Sequence, residues 1–253
     1  MPRAKRKNGI APDGPPSLTF AGRVATIRFQ RLAEHNRIDP DDIAVLRGHL
    51  ARIAALPEVR AVVVTGSGTR TFSSGFTVDA ILSRLDRSFE DLLDEIEAFP
   101  LPTICALNGS VYGGATDLAL CCDVRLGVPA TVMFMPAAKF GLHYYPDGLR
   151  RCVAAVGLAQ TKRIFLTAQT LPAAEMLRIG FLTELVPRAR LERRVAQYAA
   201  AFAECEPSVV RSMKRQLNAI ARGETAEAGS RAAYEASLAS PELKRRLASL
   251  SKR

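Results

Sequence analysis

Apolar positions along the chain follow two different spacings, one typical of strands and one of helices. Residues 17–30 alternate apolar and polar side chains around a glycine turn, which predicts two paired strands. Within residues 39–56, apolar side chains recur every three or four positions behind Asp39 and Pro40, which predicts a helix with an N-cap and a first-turn proline. Residues 59–68, VRAVVVTGSG, then predict a buried strand that ends in glycines.

The same order of strand and helix recurs further along the chain. A helical spacing covers residues 88–98, the strand-like TICALNG follows at 103–109, a helix opens at the glycine pair 113–114, and DVRLGV at 123–128 reads as another strand. Strands that alternate with helices predict an α/β fold with largely parallel pairing.

Beyond residue 159 the spacing becomes helical almost throughout. The pattern therefore predicts three regions. A disordered basic tail covers residues 1–16, an α/β core covers 17–190, and a C-terminal helical region, which serves as a cap or assembly element, covers 191–253.

Composition limits what kind of protein this is. With 253 residues and 48% hydrophobic content the chain can bury a large core, and its formal net charge of +10 favours acidic partners such as phosphates. No apolar run reaches the length of a membrane span, and no signal core follows the basic start. The five cysteines lack metal-ligand spacing. We therefore expect a reduced cytoplasmic protein with no metal and no membrane contact.

Two glycine turns carry the candidate chemistry. TFSSGFTVD at 71–79 and NGSVYGGATDLALCCD at 108–123 each follow a strand and lead into a helix. Glycines there allow backbone N–H groups to converge on one anionic oxygen, as in an oxyanion hole. Asp117 lies one turn into the second helix, in an apolar run where an unpaired carboxylate is costly. It is therefore either paired or used in chemistry.

Three segments in this order resemble the crotonase superfamily, the enoyl-CoA hydratase/isomerase family. They are VRAVVVTGSGTRTFSSGF at 59–76, LPTICALNGSVYGGATDLALCCDVRLG at 101–127 and AAEMLRIGFLTELVP at 173–187. The resemblance implies an α/β fold of the ClpP/crotonase type, a spiral of ββα units with a C-terminal helical region. It also implies a homotrimer or a dimer of trimers, and a coenzyme A thioester as substrate with no separate cofactor.

The resemblance also assigns roles to individual positions. It implies that the N–H groups of Phe76 and Gly114 hold the enolate oxygen of the thioester, and that Asp117 stands at the first acidic position of hydratases. The second acidic position is occupied by Ala137. Because alanine can neither activate water nor donate a proton, we expect little ordinary hydration of a simple enoyl-CoA.

Replacement acid/base groups are close by in the sequence. His143, Tyr144 and Tyr145 lie in the loop that borders the acyl pocket in the family, and each can exchange a proton. An acyl-CoA decarboxylase, isomerase or hydrolase that uses Asp117 with one of them therefore stays open as an alternative.

The basic excess has two interpretations. Lys214 lies in a C-terminal helix that in the family often reaches the nucleotide end of the ligand, which implies contact with a coenzyme A phosphate. The alternative is a non-enzymatic oligomer that binds coenzyme A or RNA, although aromatic residues for base stacking are scarce.

Overall fold

The computed structural model describes residues 13–224 and 228–250. The predicted disordered tail lies outside the described residues as far as residue 12. Those two ranges contain ten short strands. They are β1 (Ser17–Ala21), β2 (Val24–Phe29), β3 (Ala61–Gly66), β4 (Thr71–Ser73), β5 (Thr103–Leu107), β6 (Ser110–Tyr112), β7 (Val124–Gly127), β8 (Val132–Phe134), β9 (Leu171–Pro172) and β10 (Glu184–Leu185).

The strands form two sheets. The larger has six strands in the order β1-β2-β3-β5-β7-β10, and every neighbouring pair is parallel except the hairpin β1-β2. The smaller sheet has the order β4-β6-β8-β9, with β4, β6 and β8 parallel to one another. The carboxyl ends of these three strands therefore meet at one edge, the usual position of ligand sites in parallel sheets.

In the described part of the chain, ten α-helices connect and cover the sheets. They are α1 (Pro40–Ala54), α2 (Ile81–Arg84), α3 (Arg87–Glu97), α4 (Gly114–Leu120), α5 (Pro146–Thr167), α6 (Ala173–Arg178), α7 (Leu191–Glu204), α8 (Pro207–Ala221), α9 (Ala228–Ala239) and α10 (Pro241–Leu250). The mixed α/β architecture with a helical C-terminal region agrees with the fold class predicted from sequence. Helix α1 starts where predicted, because the Asp42 carboxylate accepts a hydrogen bond from the Asp39 N–H at 2.9 Å.

The larger sheet is buried on both faces. Alternate residues of β3 and β5, such as Val62 and Cys105, pack in the main core with α1, α3 and α4. The opposite set, including Val63 and Ile104, packs beneath α7. Helix α7 lies beyond the boundary that the sequence places at residue 190, yet it covers the second face of this sheet.

Candidate active site

A cavity of about 440 Å³ lies at the carboxyl ends of the three parallel strands of the smaller sheet. Its floor consists of residues that directly follow β4, β6 and β8, and its walls come from the first turn of α3 and from the loop that precedes α5. Most of the lining is apolar. The apolar side chains are Phe76, Val78, Ile81, Leu85, Phe89, Phe134, Met135, Pro136, Ala137, Phe140 and Leu142. Such a cavity suits an apolar ligand with a few polar contacts.

The two glycine turns touch each other at the floor of this cavity. Gly75 has φ of +86°, and a Cβ there would lie 2.6 Å from the carbonyl oxygen of Tyr112 and 3.0 Å from the nitrogen of Gly114. Gly113 also has a positive φ, of +51°. A side chain at Gly75 would therefore push the two turns apart, which explains why glycine occupies the position.

Two backbone amides at this contact have no acceptor. The N–H of Ile38 donates to the carbonyl of Gly75, and the N–H of Thr77 donates to the carbonyl of Ile38. Phe76 lies between these two bonded residues on its strand, so its own N–H points away from Ile38. Gly114 is the first residue of α4, where the N–H has no partner within the helix. Neither amide donates a hydrogen bond within the described ranges. In the part of the chain that the structure describes, Phe76 and Gly114, the pair expected from sequence, thus both have an N–H group that is free to donate to a ligand.

Asp117 is held away from the cavity by an ion pair. Its carboxylate is 1% exposed and accepts hydrogen bonds from Nε and Nη2 of Arg151, at 2.8 and 2.9 Å. It also accepts a hydrogen bond from the hydroxyl of Tyr145. Burial would lower the pKa of Arg151, but the hydrogen bond and charge of Asp117 raise it, so the guanidinium stays charged. Asp117 is therefore a paired carboxylate and does not line the cavity wall.

The tyrosine pair connects this buried ion pair to the cavity. Tyr144 and Tyr145 both line the cavity, and their rings stack with centroids 4.4 Å apart. Their hydroxyl oxygens lie 3.3 Å apart. Burial raises the pKa of both phenols, and for Tyr145 the neighbouring Tyr144 and Asp117 raise it further. Both are therefore protonated at neutral pH, and Tyr145 is the cavity group in contact with Asp117.

The remaining predicted positions have distinct surroundings. His143 lines the cavity on its exposed side and has no hydrogen-bond partner in the described part of the chain. Ala137, which the resemblance places at the second acidic position of hydratases, is buried in the cavity wall and brings no carboxylate into the cavity there.

Sequence reasoning missed a third wall of the cavity. Asp86, Arg87 and Glu90, in the first turn of α3 and its N-cap, line the cavity beside Phe89. The sequence offers one indication of this wall, which is that α3 is the first long helix after the turn at 71–79. Its charged residues resembled an ordinary solvated face, so the pattern alone did not distinguish them.

Lys214 is engaged by the protein itself. Its ammonium donates to Asp123 at 2.7 Å and to the carbonyl of Leu101 at 3.0 Å, with 8% of the side chain exposed. This contact ties α8 to the start of β7. The predicted contact with a coenzyme A phosphate stays a prediction, and the observed contacts give Lys214 a structural role.

Replacement of Lys214 tests that role. We expect Lys214→Met to destabilise the protein by about 2 kcal/mol, because Asp123 loses its partner but remains partly solvated. Thermal unfolding measures the change, with a decrease of roughly 4–8 °C for a domain of this size. A loss of ligand affinity without a change in melting temperature would contradict the structural role.

Residues 13–224 and 228–250 contain neither a candidate membrane span nor a candidate metal site. No helix there is long and apolar enough to cross a membrane. No group of three or more histidine, cysteine, aspartate or glutamate side chains in those residues has the arrangement of a metal site.

Comparisons with known proteins identify one family to which the chain is similar. The sequence model of the enoyl-CoA hydratase/isomerase family matches residues 19–242. A short-chain-enoyl-CoA hydratase of Clostridium acetobutylicum is 26% identical over 208 residues, 79% of this chain and 80% of its own. Methylmalonyl-CoA decarboxylase of Escherichia coli is 26% identical over 219 residues, 83% of this chain and 82% of its own. A crystal structure of an enoyl-CoA hydratase/isomerase family protein from Hyphomonas neptunium superposes with a TM-score of 0.87 at 26% identity, covering 94% of this chain and 95% of that one.

The matched region contains both glycine turns, the loop with Ala137 and all of the larger sheet except the first two residues of β1. The chain therefore belongs to the enoyl-CoA hydratase/isomerase family, within the crotonase superfamily.

Proposed function

We propose that the protein converts an acyl-CoA thioester through a thioester enolate whose oxygen is bound by the N–H groups of Phe76 and Gly114. The observation that carries the proposal is the pair of unused amides at the floor of an apolar cavity. Donors fixed before the reaction stabilise developing negative charge strongly where water is excluded. Membership of the family supports a coenzyme A thioester as the source of that oxygen.

We assign the proton donor to Tyr145 and a positioning role to Asp117. Tyr145 lines the cavity, remains protonated, and is oriented by its hydrogen bond to Asp117. Asp117 is neutralised by Arg151 and lies behind the tyrosine, which supports positioning rather than direct proton transfer. The resemblance assigns the second acid/base group of ordinary hydration to the position of Ala137, and alanine cannot supply it.

Removal of the Tyr145 hydroxyl tests this assignment. We expect Tyr145→Phe to lower kcat roughly 100-fold, because the enolate loses its proton donor, while the dissociation constant of an unreactive acyl-CoA changes little. Tyr144→Phe is the comparison, since among the described residues its hydroxyl contacts only that of Tyr145, and we expect a much smaller loss. Equal losses in both variants would argue against Tyr145 as the donor.

The cavity lining indicates an apolar acyl group larger than crotonyl. Each buried methylene contributes about 0.8 kcal/mol, which corresponds to roughly 4-fold in affinity. We therefore expect kcat/KM for an eight-carbon enoyl-CoA to exceed that for crotonyl-CoA at least about 10-fold. Steady-state kinetics across a chain-length series measure this, and a preference for the four-carbon substrate would contradict the apolar role of the lining.

A panel of substrates tests the reaction class. Crotonyl-CoA, 3-octenoyl-CoA and a malonyl-type CoA are incubated with the wild-type protein and with Asp117→Asn. We expect weak hydration of crotonyl-CoA and turnover of a substrate that forms an enolate without addition of water. Fast crotonyl-CoA hydration that is unaffected by Asp117→Asn would contradict the proposal. If the protein binds none of these thioesters, it is not an acyl-CoA enzyme. The next test is then RNA binding, measured as a function of salt concentration.

Decarboxylation is the second candidate. Loss of CO₂ from a 2-carboxyacyl thioester leaves an enolate that needs only bound oxygen and one proton donor, which Phe76, Gly114 and Tyr145 would supply. This fits the missing acid at Ala137, and a relative at 26% identity is a methylmalonyl-CoA decarboxylase. Release of CO₂ from the malonyl-type substrate distinguishes this candidate from isomerisation.

We also propose that the protein forms a homo-oligomer. Met213, Leu217 and Ile220 of α8 are each more than half exposed, and their spacing places them on one helix face. A monomer rarely leaves such a stripe in water. Sedimentation measurements test the trimer or hexamer expected from the family, and a monomer at micromolar concentration would contradict it.

A further inference from the structure

Three charged residues of the α3 wall differ in how they are paired. Asp86 caps the helix, since its Oδ1 accepts a hydrogen bond from the Ser88 N–H at 2.9 Å. Arg87 lies 3.3 Å from the Asp91 carboxylate. Glu90 has no hydrogen bond and no ion pair with any residue in the ranges 13–224 and 228–250. Of these three groups, only Glu90 is thus free to act on a ligand.

The surroundings of Glu90 make an idle carboxylate there unfavourable. The side chain is half-buried and borders a cavity whose lining is mainly apolar. A carboxylate beside apolar side chains loses hydration without gaining a partner, which costs free energy unless a ligand or a reaction uses it. The two acidic positions of hydratases do not provide a free base here, because Ala137 has no carboxylate and Asp117 is paired with Arg151.

The residue before Glu90 places this wall directly beside the oxyanion turns. The ring of Phe89 packs edge-on against Phe76, with centroids 5.4 Å apart. The same ring lies about 2.9 Å from the position that a Cβ on Gly114 would occupy. Phe89 therefore contacts both residues whose amides face the cavity, and Glu90 follows it in the same helical turn. Glu90, Phe76 and Gly114 thus line one cavity, which a thioester bound by those amides would share with the Glu90 carboxylate.

We infer that Glu90 is the base that removes a proton from C2 of the bound acyl group, an inference that rests on the proposed function. Glu90 takes the proton as the C2–H bond breaks, and the electron pair moves onto the thioester oxygen held by Phe76 and Gly114. Return of a proton to C2 restores the substrate. With a 3-enoyl thioester, donation to C4 from Tyr145 gives the 2-enoyl isomer. Glu90 then releases its proton to solvent and Tyr145 takes one up, so no oxidant or further reactant is consumed.

Exchange of the C2 proton tests this assignment without requiring net turnover. Octanoyl-CoA is incubated in D₂O with wild type and with Glu90→Gln, and deuterium at C2 is followed by mass spectrometry and NMR. We expect Glu90→Gln to slow exchange and 3-octenoyl-CoA isomerisation by about 100-fold or more. Its affinity for octanoyl-CoA and its melting temperature should stay unchanged, because Glu90 has no partner to lose among residues 13–224 and 228–250. Glu90→Asp should retain part of the rate.

The matched control is Glu95→Gln, on the same helix but paired with the surface residue Arg47 and outside the cavity. Wild-type exchange in this control, together with loss in Glu90→Gln, supports the inference. If Glu90→Gln exchanges C2 protons at the wild-type rate, Glu90 is not the base, although the proposed function would stand. If the wild type binds octanoyl-CoA but catalyses neither exchange nor isomerisation, the inference also fails. If it binds no acyl-CoA, the proposed function fails first.

Discussion

Replacing Gly114 by proline should lower kcat/KM up to about 1000-fold, because proline removes one of the two N–H donors to the enolate oxygen. The first position of a helix is where proline fits best, since the missing N–H has no helical partner there. The folded state should therefore survive the change. Steady-state kinetics with the preferred thioester measure the effect.

The control for this variant is Gly114→Ala. A Cβ at this position would lie 2.9 Å from the Phe89 ring in both variants, so both disturb that contact, but alanine keeps the N–H and lacks the ring atoms that proline adds at the nitrogen. The ratio of the two activities isolates the amide. Equal activities in proline and alanine variants would show that the Gly114 N–H does not bind the reacting oxygen.

Replacing Arg151 by methionine should destabilise the protein by about 4 kcal/mol. The change leaves the carboxylate of Asp117 buried without its cation, and breaking a buried ion pair from one side costs about 3–5 kcal/mol. For a domain of this size, thermal unfolding should show a decrease of about 10 °C. Tyr145 should also lose its fixed orientation, because its hydrogen-bond acceptor is no longer held in place.

Two further variants distinguish the effect of the unpaired buried charge on stability from that of lost packing. The double variant Asp117→Asn with Arg151→Met removes the unpaired charge, and we expect it to be more stable than Arg151→Met alone. Arg178→Met breaks an exposed pair with Glu175 and should cost less than about 1 kcal/mol. A double variant no more stable than Arg151→Met would show that packing, and not the charge of Asp117, sets the cost.

Local signals explain what could be predicted. The start of α1 followed from Asp39 and Pro40, and the two turns followed from glycines that the structure places at positive φ, Gly75 and Gly113. Each of these features depends on residues close together in the chain, where backbone preference decides the conformation. Because the two turns are specified by neighbouring residues, their amides were the clearest candidates for the site.

Long-range pairing explains what could not be predicted. Arg151 meets Asp117 across 34 residues, and Lys214 meets Asp123 across 91. No spacing rule predicts such contacts, so the sequence left open whether Asp117 is paired or catalytic, and Lys214 resembled a free cation. Glu90 was not predicted as a site residue because an unpaired carboxylate on an amphipathic helix is normally solvated. Only the folded chain shows that this one borders the cavity.

The most direct test of the central claim is the ¹³C NMR signal of an acyl-CoA labelled at its thioester carbonyl. Two N–H donors on the carbonyl oxygen polarise the C=O bond, so the signal should move downfield on binding to the wild type. The shift should be smaller in Gly114→Pro than in Gly114→Ala at saturating protein. A labelled thioester that binds without a downfield shift, or that shifts equally in both variants, would contradict an enolate site formed by Phe76 and Gly114.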